Sequence, residues 1–359
     1  MRELILVQGM HRSGTSAVTR AMEVFGAHIG TDLLEPADDN PLGFFEDRTL
    51  QQANEWLLEN NGCFWDSLKF PVRDALKPGV VEEYLKRIEN ALYLKLKVDR
   101  PFVFKDPRMC RLWPLWLPVM KVLDVRVRVV WVLRHPFAVA QSLRHRNNMP
   151  AELALLLWRL HNEGAYRSLC YWSGTVVFYE DLLKDAKSAL RQVGSVLDMG
   201  QLDEGLLQDY LKTFLKKEMN HFDLDMVNVG DGLEIFYSGL YAQLRRDISA
   251  HNLRTIEQYI MLPGPDEERW TSTIKFLQEG RDSLRVHALA LAAEKAKVCT
   301  ALRAELVALE AQKAKAEARY QADRLAWQSE RKEALRHIRY MESCILAARI
   351  KAGSRGPRS

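Results

Sequence analysis

The feature that most constrains the fold is the loop "GMHRSGTS" at residues 9–16, which lies between the apolar run "LILVQ" and the helical pattern "AVTRAMEVFG". A strand, a glycine-containing loop and a helix in this order form a phosphate site, because backbone N–H groups and a helix N-terminus converge on the anion. Thr15 stands where an ATP-binding loop has its lysine. The loop therefore predicts a phosphate site that lacks the lysine of an ATP-binding loop.

Four short apolar runs alternate with helical patterns, which predicts an α/β fold with a P-loop-type parallel sheet flanked by helices. The runs are residues 4–8, 102–105, 127–134 and 175–180. Their nearly continuous apolar character is typical of strands that are covered on both faces. Since open α/β sheets bind ligands at the carboxyl ends of their strands, the polar residues after these runs are the candidate site.

The C-terminal part predicts a long α-helical extension. From Leu284 the composition shifts to Ala, Lys, Arg, Glu and Leu, and apolar residues recur at intervals of three, four or seven: Leu302, Leu306, Leu309, Ala316, Tyr320, Trp327, Ala334 and Met341. Lys313 and Asp323 interrupt the seam, so a short coiled coil that joins a homo-oligomer, a helix packed on the body and a solvated single helix are alternatives. The predicted divisions are a core domain (1–222), a helical extension of it (223–283), the long charged helix or coiled coil (284–352) and a disordered basic tip (353–359).

Charge and cysteine content narrow the class of protein. The net charge of +4 is uneven, because the last 80 or so residues carry about +8 and the body is slightly acidic. This distribution argues against a nucleic-acid partner. The five cysteines are scattered without a CxxC pair, which predicts reduced thiols and neither disulfides nor a zinc site. With a first strand that begins at Leu4 and no long apolar stretch, we expect a cytoplasmic protein without a signal peptide or membrane helix.

One arginine replaces the missing lysine, and a second arginine predicts another anion site. Arg12 lies inside the loop, and its guanidinium can engage two oxygens of an oxyanion. Arg134 ends the third run and Ser142 follows eight residues later, which predicts a second anion site on a neighbouring strand. Arg134 also stands where a metal-binding carboxylate would be useful, so we expect no metal. Two anion sites predict a nucleotide that is phosphorylated at two places. If each residue is considered alone, the alternative is that Arg134 forms a surface ion pair and that Ser142 is a helix residue without a role in binding.

These segments resemble the sulfotransferase family. "GMHRSGTS" resembles its 5′-phosphosulfate loop and "LRHPFAVAQS" is similar to its 3′-phosphate motif; Arg12 replaces a lysine of many members but matches the tyrosine-sulfating and bacterial branches. The resemblance covers about residues 3–222. It implies 3′-phosphoadenosine 5′-phosphosulfate (PAPS) as co-substrate, no metal, and nucleotide contacts from His11, Arg12, Ser13, Gly14, Thr15, Ser16, Arg134, Ser142 and Tyr179.

The resemblance also implies catalytic residues. Glu46, in "NPLGFFEDRTLQQANEWLL", matches the proposed general base of the tyrosine-sulfating branch. The alternative is that Glu46 or Asp47 caps the following helix. His11 is a second candidate base, because the loop places it near the sulfuryl group. Arg12 is expected to neutralise charge on the departing phosphate.

Two further strand ends carry candidate residues. Lys105, in "FKDPRM", is similar to a lysine that meets the oxygen bridging phosphate and sulfate, and its alternative is an exposed lysine at a proline turn. Asp106 and Arg108 are expected to brace that loop. After the fourth run, either Tyr179 lines the nucleotide pocket or Glu180 caps the next helix.

Together these observations predict a bacterial, PAPS-dependent sulfotransferase that acts on a hydroxyl group of a glycan, a glycolipid or a peptide tyrosine. Two alternatives stay open. One is a P-loop kinase or nucleoside triphosphatase, in which Asp106 would serve magnesium. The other is a non-catalytic, nucleotide-sensing assembly factor whose C-terminal helix recruits partners.

Overall fold

A computed structural model describes residues 2–37, 40–70, 76–215, 231–250, 253–260 and 267–353. The chain divides into two compact units, residues 1–286 and 287–359. Most of the predicted basic tip (354–359) and the start of the predicted helical extension (223–230) lie outside the described residues.

The first unit is built on a four-stranded parallel sheet, which confirms the predicted fold class. Its strands are β1 (Arg2–Gln8), β2 (Phe102–Lys105), β3 (Val125–Leu133) and β4 (Gly174–Phe178), in the spatial order β2-β1-β3-β4. The chain leaves β1 toward β2 on one side, whereas β3 and β4 lie on the other. The loops that follow β1 and β3 therefore diverge, and a crevice forms between them at the carboxyl ends of the strands.

Helices cover both faces of this sheet. They are α1 (Thr15–Ala21), continued by a 3₁₀ turn (Met22–Phe25), α2 (Arg48–Asn60), α3 (Pro78–Lys95), α4 (Met109–Val122), α5 (Pro136–Asn147), α6 (Ala151–Tyr171), α7 (Tyr179–Lys184), α8 (Ala186–Leu197), α9 (Glu204–Thr213), α10 (Asp231–Ser249) and α11 (Leu253–Ile260). Successive strand residues enter different cores: Leu4 and Leu6 pack with residues of α2, α3 and α4, while Ile5 and Val7 pack with residues of α1, α8 and α9. Burial on both faces explains why the strands read as continuous apolar runs.

Two strands end earlier than their apolar runs. β3 ends at Leu133 and β4 at Phe178, and these two residues are the last registered pair of that ladder. Arg134 therefore lies just past its strand, and Tyr179 is the first residue of α7. Apolar character reflects burial, and burial continues beyond the last hydrogen bond between the strands. The apolar runs therefore predicted both strands to end later than they do.

The long helix α12 (Glu267–Gly353) begins earlier than the composition shift at Leu284 indicated. Gly280 lies within this helix, where a single glycine costs only about 1 kcal/mol, and side chains on both sides of it make contacts within the first unit. Gln278 donates to the carbonyl of Asp66, and Arg281 forms an ion pair with the same aspartate. In the second unit, Leu302, Leu306 and Leu309 are each more than half exposed. Within the described ranges, every helix is too short or too polar to span a bilayer.

Candidate active site

A cavity of about 440 Å³ opens at the carboxyl ends of β1, β2 and β3. Nine of the predicted site residues line it: His11, Arg12, Gly14, Thr15, Ser16, Glu46, Lys105, Arg134 and Tyr179. Ser13 and Ser142 are not among the lining residues. Ser13 is fully buried in the loop, and Ser142 reaches the site by accepting a hydrogen bond from Arg12.

The loop needs glycine at two places for steric reasons. Gly14 begins α1 in the left-handed region (φ 88°), and a Cβ there would lie 2.1 Å from Cδ2 of Tyr179. A Cβ at Gly9 would lie 2.5 Å from the carbonyl oxygen of Val132. Both glycines thus permit a close approach between the loop and the ends of β3 and β4. Among the described atoms, the buried Ser13 Oγ has no hydrogen-bond partner.

The residues assigned to two anion sites form one connected cluster. Nε of Arg12 donates to Oγ of Ser142 at 2.8 Å, and Nη1 of Arg134 donates to the carbonyl oxygen of Arg12 at 3.0 Å. The guanidinium of Arg134 also lies 4.9 Å from the ring centre of Tyr179. Arg134 is therefore held at the cavity rather than in a surface ion pair.

Burial makes Arg134 a strong candidate for an anion contact. Desolvation lowers the pKa of its guanidinium, and its buried Nε has no hydrogen-bond partner within the described chain. An uncompensated buried cation is costly. A phosphate oxygen at this position would supply the missing charge and acceptor.

Glu46 and Lys105 form a buried ion pair. Nζ of Lys105 donates to Oε1 of Glu46 at 2.6 Å and to the carbonyl oxygen of Phe44 at 3.0 Å, and both charged side chains are less than 8% exposed. The helix cap comes from the neighbouring residue instead, because Oδ1 of Asp47 accepts from the backbone N–H of Leu50 at the start of α2. Lys105 is thus not an exposed turn residue, and Glu46 is not the cap.

The environment of Glu46 shifts the pKa of its carboxyl upward. Burial raises the pKa of this carboxyl, and the charge of Asp106 raises it further, whereas Lys105 and Arg108 lower it. The net shift of the Glu46 pKa is upward, toward neutral pH. A carboxylate with a raised pKa is better suited to accept a proton than an exposed one.

His11 has the opposite environment. His11 is half-buried, its ring centre lies 4.3 Å from that of Trp65, and its buried Nε2 has no partner among the described atoms. Burial lowers the pKa of His11 well below its ordinary value, and the charges of Arg108 and Lys105 lower it further. His11 is therefore neutral near pH 7.

The loop after β2 is braced as the sequence indicated. Asp106 is fully buried, and its Oδ1 accepts from both the backbone N–H (2.9 Å) and Nη1 (3.0 Å) of Arg108. Its Oδ2 accepts from Nδ2 of Asn54 on α2 at 2.8 Å. The sequence offered no signal for Asn54, which is separated from this loop by a helix and a strand.

At the fourth strand end, Tyr179 lines the cavity and Glu180 has a different task. Oε1 of Glu180 accepts from the backbone N–H of His135, which caps the start of α5. Its Oε2 accepts from the hydroxyl of Tyr241 at 2.6 Å. Glu180 therefore anchors α5, the helix that carries Ser142, and not the helix that follows β4.

Several lining residues were not predicted: Asn40, Pro41, Leu42, Phe44, Pro107, Arg146 and Phe214, with Ala17 beside the loop. Arg144 and Arg146 both follow Ser142 closely in the sequence, which did not decide between them, and Arg146 lies four residues after Ser142 and thus on the same helix face. Arg144, two residues from Ser142, is exposed and does not belong to the lining. Of the charged lining residues, Arg12, Lys105, Arg134 and Arg146 are cationic and Glu46 is acidic. The described lining is therefore strongly positive.

No family model matches the chain, and no curated protein does. The solved structures that are similar to it include two sulfotransferase domains. One is the sulfotransferase domain from the Synechococcus PCC 7002 olefin synthase, with 18% identity over 68% of this chain and 94% of that one, and a TM-score of 0.43. The other is the sulfotransferase domain from the curacin biosynthetic pathway, with 17% identity over 68% of this chain and 98% of that one, and a TM-score of 0.43.

Proposed function

We propose that this protein transfers a sulfuryl group from PAPS to the hydroxyl group of an acceptor. One observation carries the proposal: a cavity with four cationic side chains holds one carboxylate, and that carboxylate is paired with a buried lysine. The cations suit a donor with several negative charges. The carboxylate suits the removal of a proton from the acceptor.

The loop and the third strand end supply the donor contacts. Residues 11–16 would hold the 5′-phosphosulfate, and Arg134 with Ser142 would hold the 3′-phosphate. The unpartnered Nε of Arg134, a residue that lines the cavity, is a group that such an anion would satisfy. Arg12 contacts Ser142, and because a guanidinium has five N–H donors, it can serve more than one acceptor in the same cluster.

Glu46 is the better base of the two candidates. Burial raises the pKa of Glu46 and lowers the pKa of His11, so both shifts run in the direction that favours Glu46 as the base. In the proposed step, Glu46 takes the proton as the acceptor oxygen bonds to sulfur. The bond between sulfur and the bridging oxygen breaks, and its electron pair leaves with adenosine 3′,5′-bisphosphate.

Lys105 would stabilise the negative charge on the leaving oxygen, together with Arg12. It lies at the carboxyl end of β2 with its ammonium group between Glu46 and the Phe44 carbonyl. Loss of a single charge-stabilising contact of this kind costs about 100- to 1000-fold in rate.

The kinase alternative requires a carboxylate that can reach magnesium. Asp106 was the candidate, but it is fully buried, and Arg108 and Asn54 occupy both of its oxygens. It does not belong to the described lining. The site geometry therefore favours sulfuryl transfer over a magnesium-dependent phosphoryl transfer that uses Asp106.

The proposal extends to the acceptor, the location and the oligomeric state. The acceptor would be a hydroxyl of a glycan, a glycolipid or a peptide, and Pro41, Leu42, Phe44 and Phe214 give the cavity an apolar wall beside its charges. The free thiols of Cys63, Cys110, Cys170 and Cys299 agree with a reducing, cytoplasmic compartment. Pairing of the C-terminal helix with a second copy would make a homo-oligomer.

The test compares two nucleotides by thermal shift. Adenosine 3′,5′-bisphosphate should stabilise the protein more than adenosine 5′-monophosphate, and Arg134→Ala should remove that difference because the 3′-phosphate loses its cation. Arg144→Ala is the matched control, since Arg144 is an exposed arginine close to Ser142, and it should behave like wild type. Labelled PAPS offered to fractionated cell extract then identifies the acceptor. Equal shifts with both nucleotides, or an unchanged Arg134→Ala variant, would overturn the proposal.

A further inference from the structure

Arg108 is a buried arginine beside the Lys105–Glu46 pair, and it is absent from the cavity lining that the structure describes. Its Nη1 lies 3.0 Å from Oδ1 of Asp106 and 3.8 Å from Oε2 of Glu46. Its Nη2 lies 3.5 Å from Oε1 of Glu55. Each oxygen of Glu46 thus has a cation close to it, Lys105 at Oε1 and Arg108 at Oε2.

A buried hydrogen-bonded chain holds Arg108 in place. The indole N–H of Trp116 donates to the hydroxyl of Tyr84, and that hydroxyl donates to Oδ1 of Asn54, each at 2.7 Å. Asn54 in turn donates to Asp106, which accepts from the backbone and the side chain of Arg108. These hydrogen bonds fix the Asp106 carboxylate that binds Arg108, while the buried Nε of Arg108 has no hydrogen-bond partner in the described chain. The chain connects α4, α3 and α2 to the loop after β2.

We propose that Arg108 is a positioning residue whose charge, 3.8 Å from Oε2 of Glu46, keeps that carboxylate ionised, while nucleotide binding is left to the cations that line the cavity. The proposal rests on the proposed role of Glu46 as the base. It extends that role, because a side chain that does not line the cavity would control whether the Glu46 carboxyl is ionised.

The charges around Glu46 explain why a second cation is needed. Burial and Asp106 both raise the pKa of Glu46, and Lys105 and Arg108 oppose them. The other ionisable groups of the described lining are His11, Arg12, Arg134, Arg146 and Tyr179. Without Arg108, Glu46 would lose the attraction of a nearby cation. The negative charge of Asp106 would also no longer be balanced by its ion pair with Arg108, so it would repel the Glu46 carboxylate more strongly. Both changes favour the protonated carboxyl, which cannot accept a proton.

The test is a carbon-13 NMR titration of the Glu46 carboxyl in protein labelled at glutamate, with the signal assigned by Glu46→Gln. In Arg108→Gln the titration midpoint should move to higher pH, whereas in Arg108→Lys, which keeps the charge, it should stay near that of wild type. Glu55→Gln is the matched control, because it removes a partner of Arg108 without removing the cation, and its midpoint should be unchanged.

Arg108→Gln leaves Asp106 buried without its ion-pair partner, so that variant can fail to fold. The comparison of Asp106→Asn with the double variant Asp106→Asn/Arg108→Gln avoids this, because neither protein buries an unpaired Asp106 carboxylate. The double variant should titrate at higher pH than Asp106→Asn. An equal midpoint in these two proteins overturns the proposal.

Kinetics with PAPS and the most active acceptor fraction separate this inference from the proposed function. At pH 6, kcat/KM of Arg108→Gln should fall about tenfold or more and recover at higher pH, while its affinity for adenosine 3′,5′-bisphosphate should stay at the wild-type value. If Glu46→Gln transfers sulfate at the wild-type rate, the proposed base is wrong. If Glu46→Gln is inactive but the pH profile of Arg108→Gln matches wild type, Arg108 alone has been misassigned.

Discussion

Nζ of Lys105 lies 2.6 Å from Oε1 of Glu46, and this ion pair is buried at the carboxyl end of β2. The two residues come from distant segments, because Glu46 precedes α2 and Lys105 ends β2. Their contact brings a candidate base and a candidate leaving-group contact together in one cavity.

Lys105→Met should lower both stability and rate. The substitution leaves the Glu46 carboxylate buried without its partner, which costs about 3–5 kcal/mol in the free energy of unfolding. Sulfate transfer should fall by about 100- to 1000-fold. Lys86→Met is the matched control, because the Lys86–Glu82 pair is exposed and its attraction is screened by solvent. Urea denaturation and PAPS turnover measure the two effects, and equal stability losses in the two variants would contradict the prediction.

Glu46 should make rate and stability respond to pH in opposite directions. Its pKa is raised in the folded protein, so the folded state holds this proton to higher pH than the unfolded state does. Its contribution to stability is complete below the ordinary carboxyl pKa and is lost as pH rises through the raised value. Over the same interval kcat/KM should rise, because the base ionises. Glu46→Gln should remove both changes, and a wild-type rate that is flat across this interval would refute the assignment.

His161 should make the protein sensitive to acid. Burial lowers the pKa of its imidazole to about 3, so below pH 6.5 the unfolded chain binds a proton that the folded protein does not. Stability should fall as pH decreases from 6.5 toward 3, by about 1.4 kcal/mol per pH unit from this group. His161→Gln should flatten that slope in urea titrations at several pH values. The exposed His145, substituted in the same way, serves as the control, and its slope should match wild type.

Gly14→Ala should disrupt the loop by a clash as well as by backbone strain. The added Cβ would lie 2.1 Å from the Tyr179 ring, at a φ of 88°. Gly26→Ala separates the two effects, because Gly26 also has a positive φ (77°) but a Cβ at that position would meet no atom within 4 Å. Gly26→Ala should cost about 1–2 kcal/mol. Gly14→Ala should cost more and abolish the nucleotide thermal shift, and equal effects would show that the clash is relieved.

Truncation should distinguish the first unit from the rest of helix α12. A protein that ends at Val286 keeps all of the described cavity-lining residues and should bind nucleotide like the full chain. A protein that ends before Gln278 loses Arg281 and Arg285, whose Nη1 atoms lie 2.9 Å and 2.8 Å from the buried carboxylate of Asp66.

The shorter protein should be less stable by about 3–5 kcal/mol, because Asp66 stays buried without its cations. Its turnover should also fall, since Trp65, next to Asp66, packs against His11. Differential scanning calorimetry compares the stability of the two truncated proteins, and a turnover assay compares their rates. Equal stability of the two truncated proteins would contradict the prediction.

The sequence by itself determined the sheet and the position of the site along the chain. Apolar runs located all four strands, because burial on both faces leaves a local signal. The residues after those runs lie at the cavity because parallel strands bring their carboxyl ends to one edge. Arg12, Lys105, Arg134 and Tyr179 were found in this way.

Only the tertiary structure decided which side chains meet. Asp47 caps α2, and its neighbour Glu46 forms an ion pair with Lys105. The sequence alone could not decide which of the two acidic residues caps the helix. Arg12 bonds Ser142, and Asn54 bonds Asp106, across long separations in the chain. Such partners depend on rotamers and on the packing of distant helices, whereas strands and loops follow from local patterns. The same packing sets the pKa of Glu46, because its burial and the charges around it exist only in the folded chain.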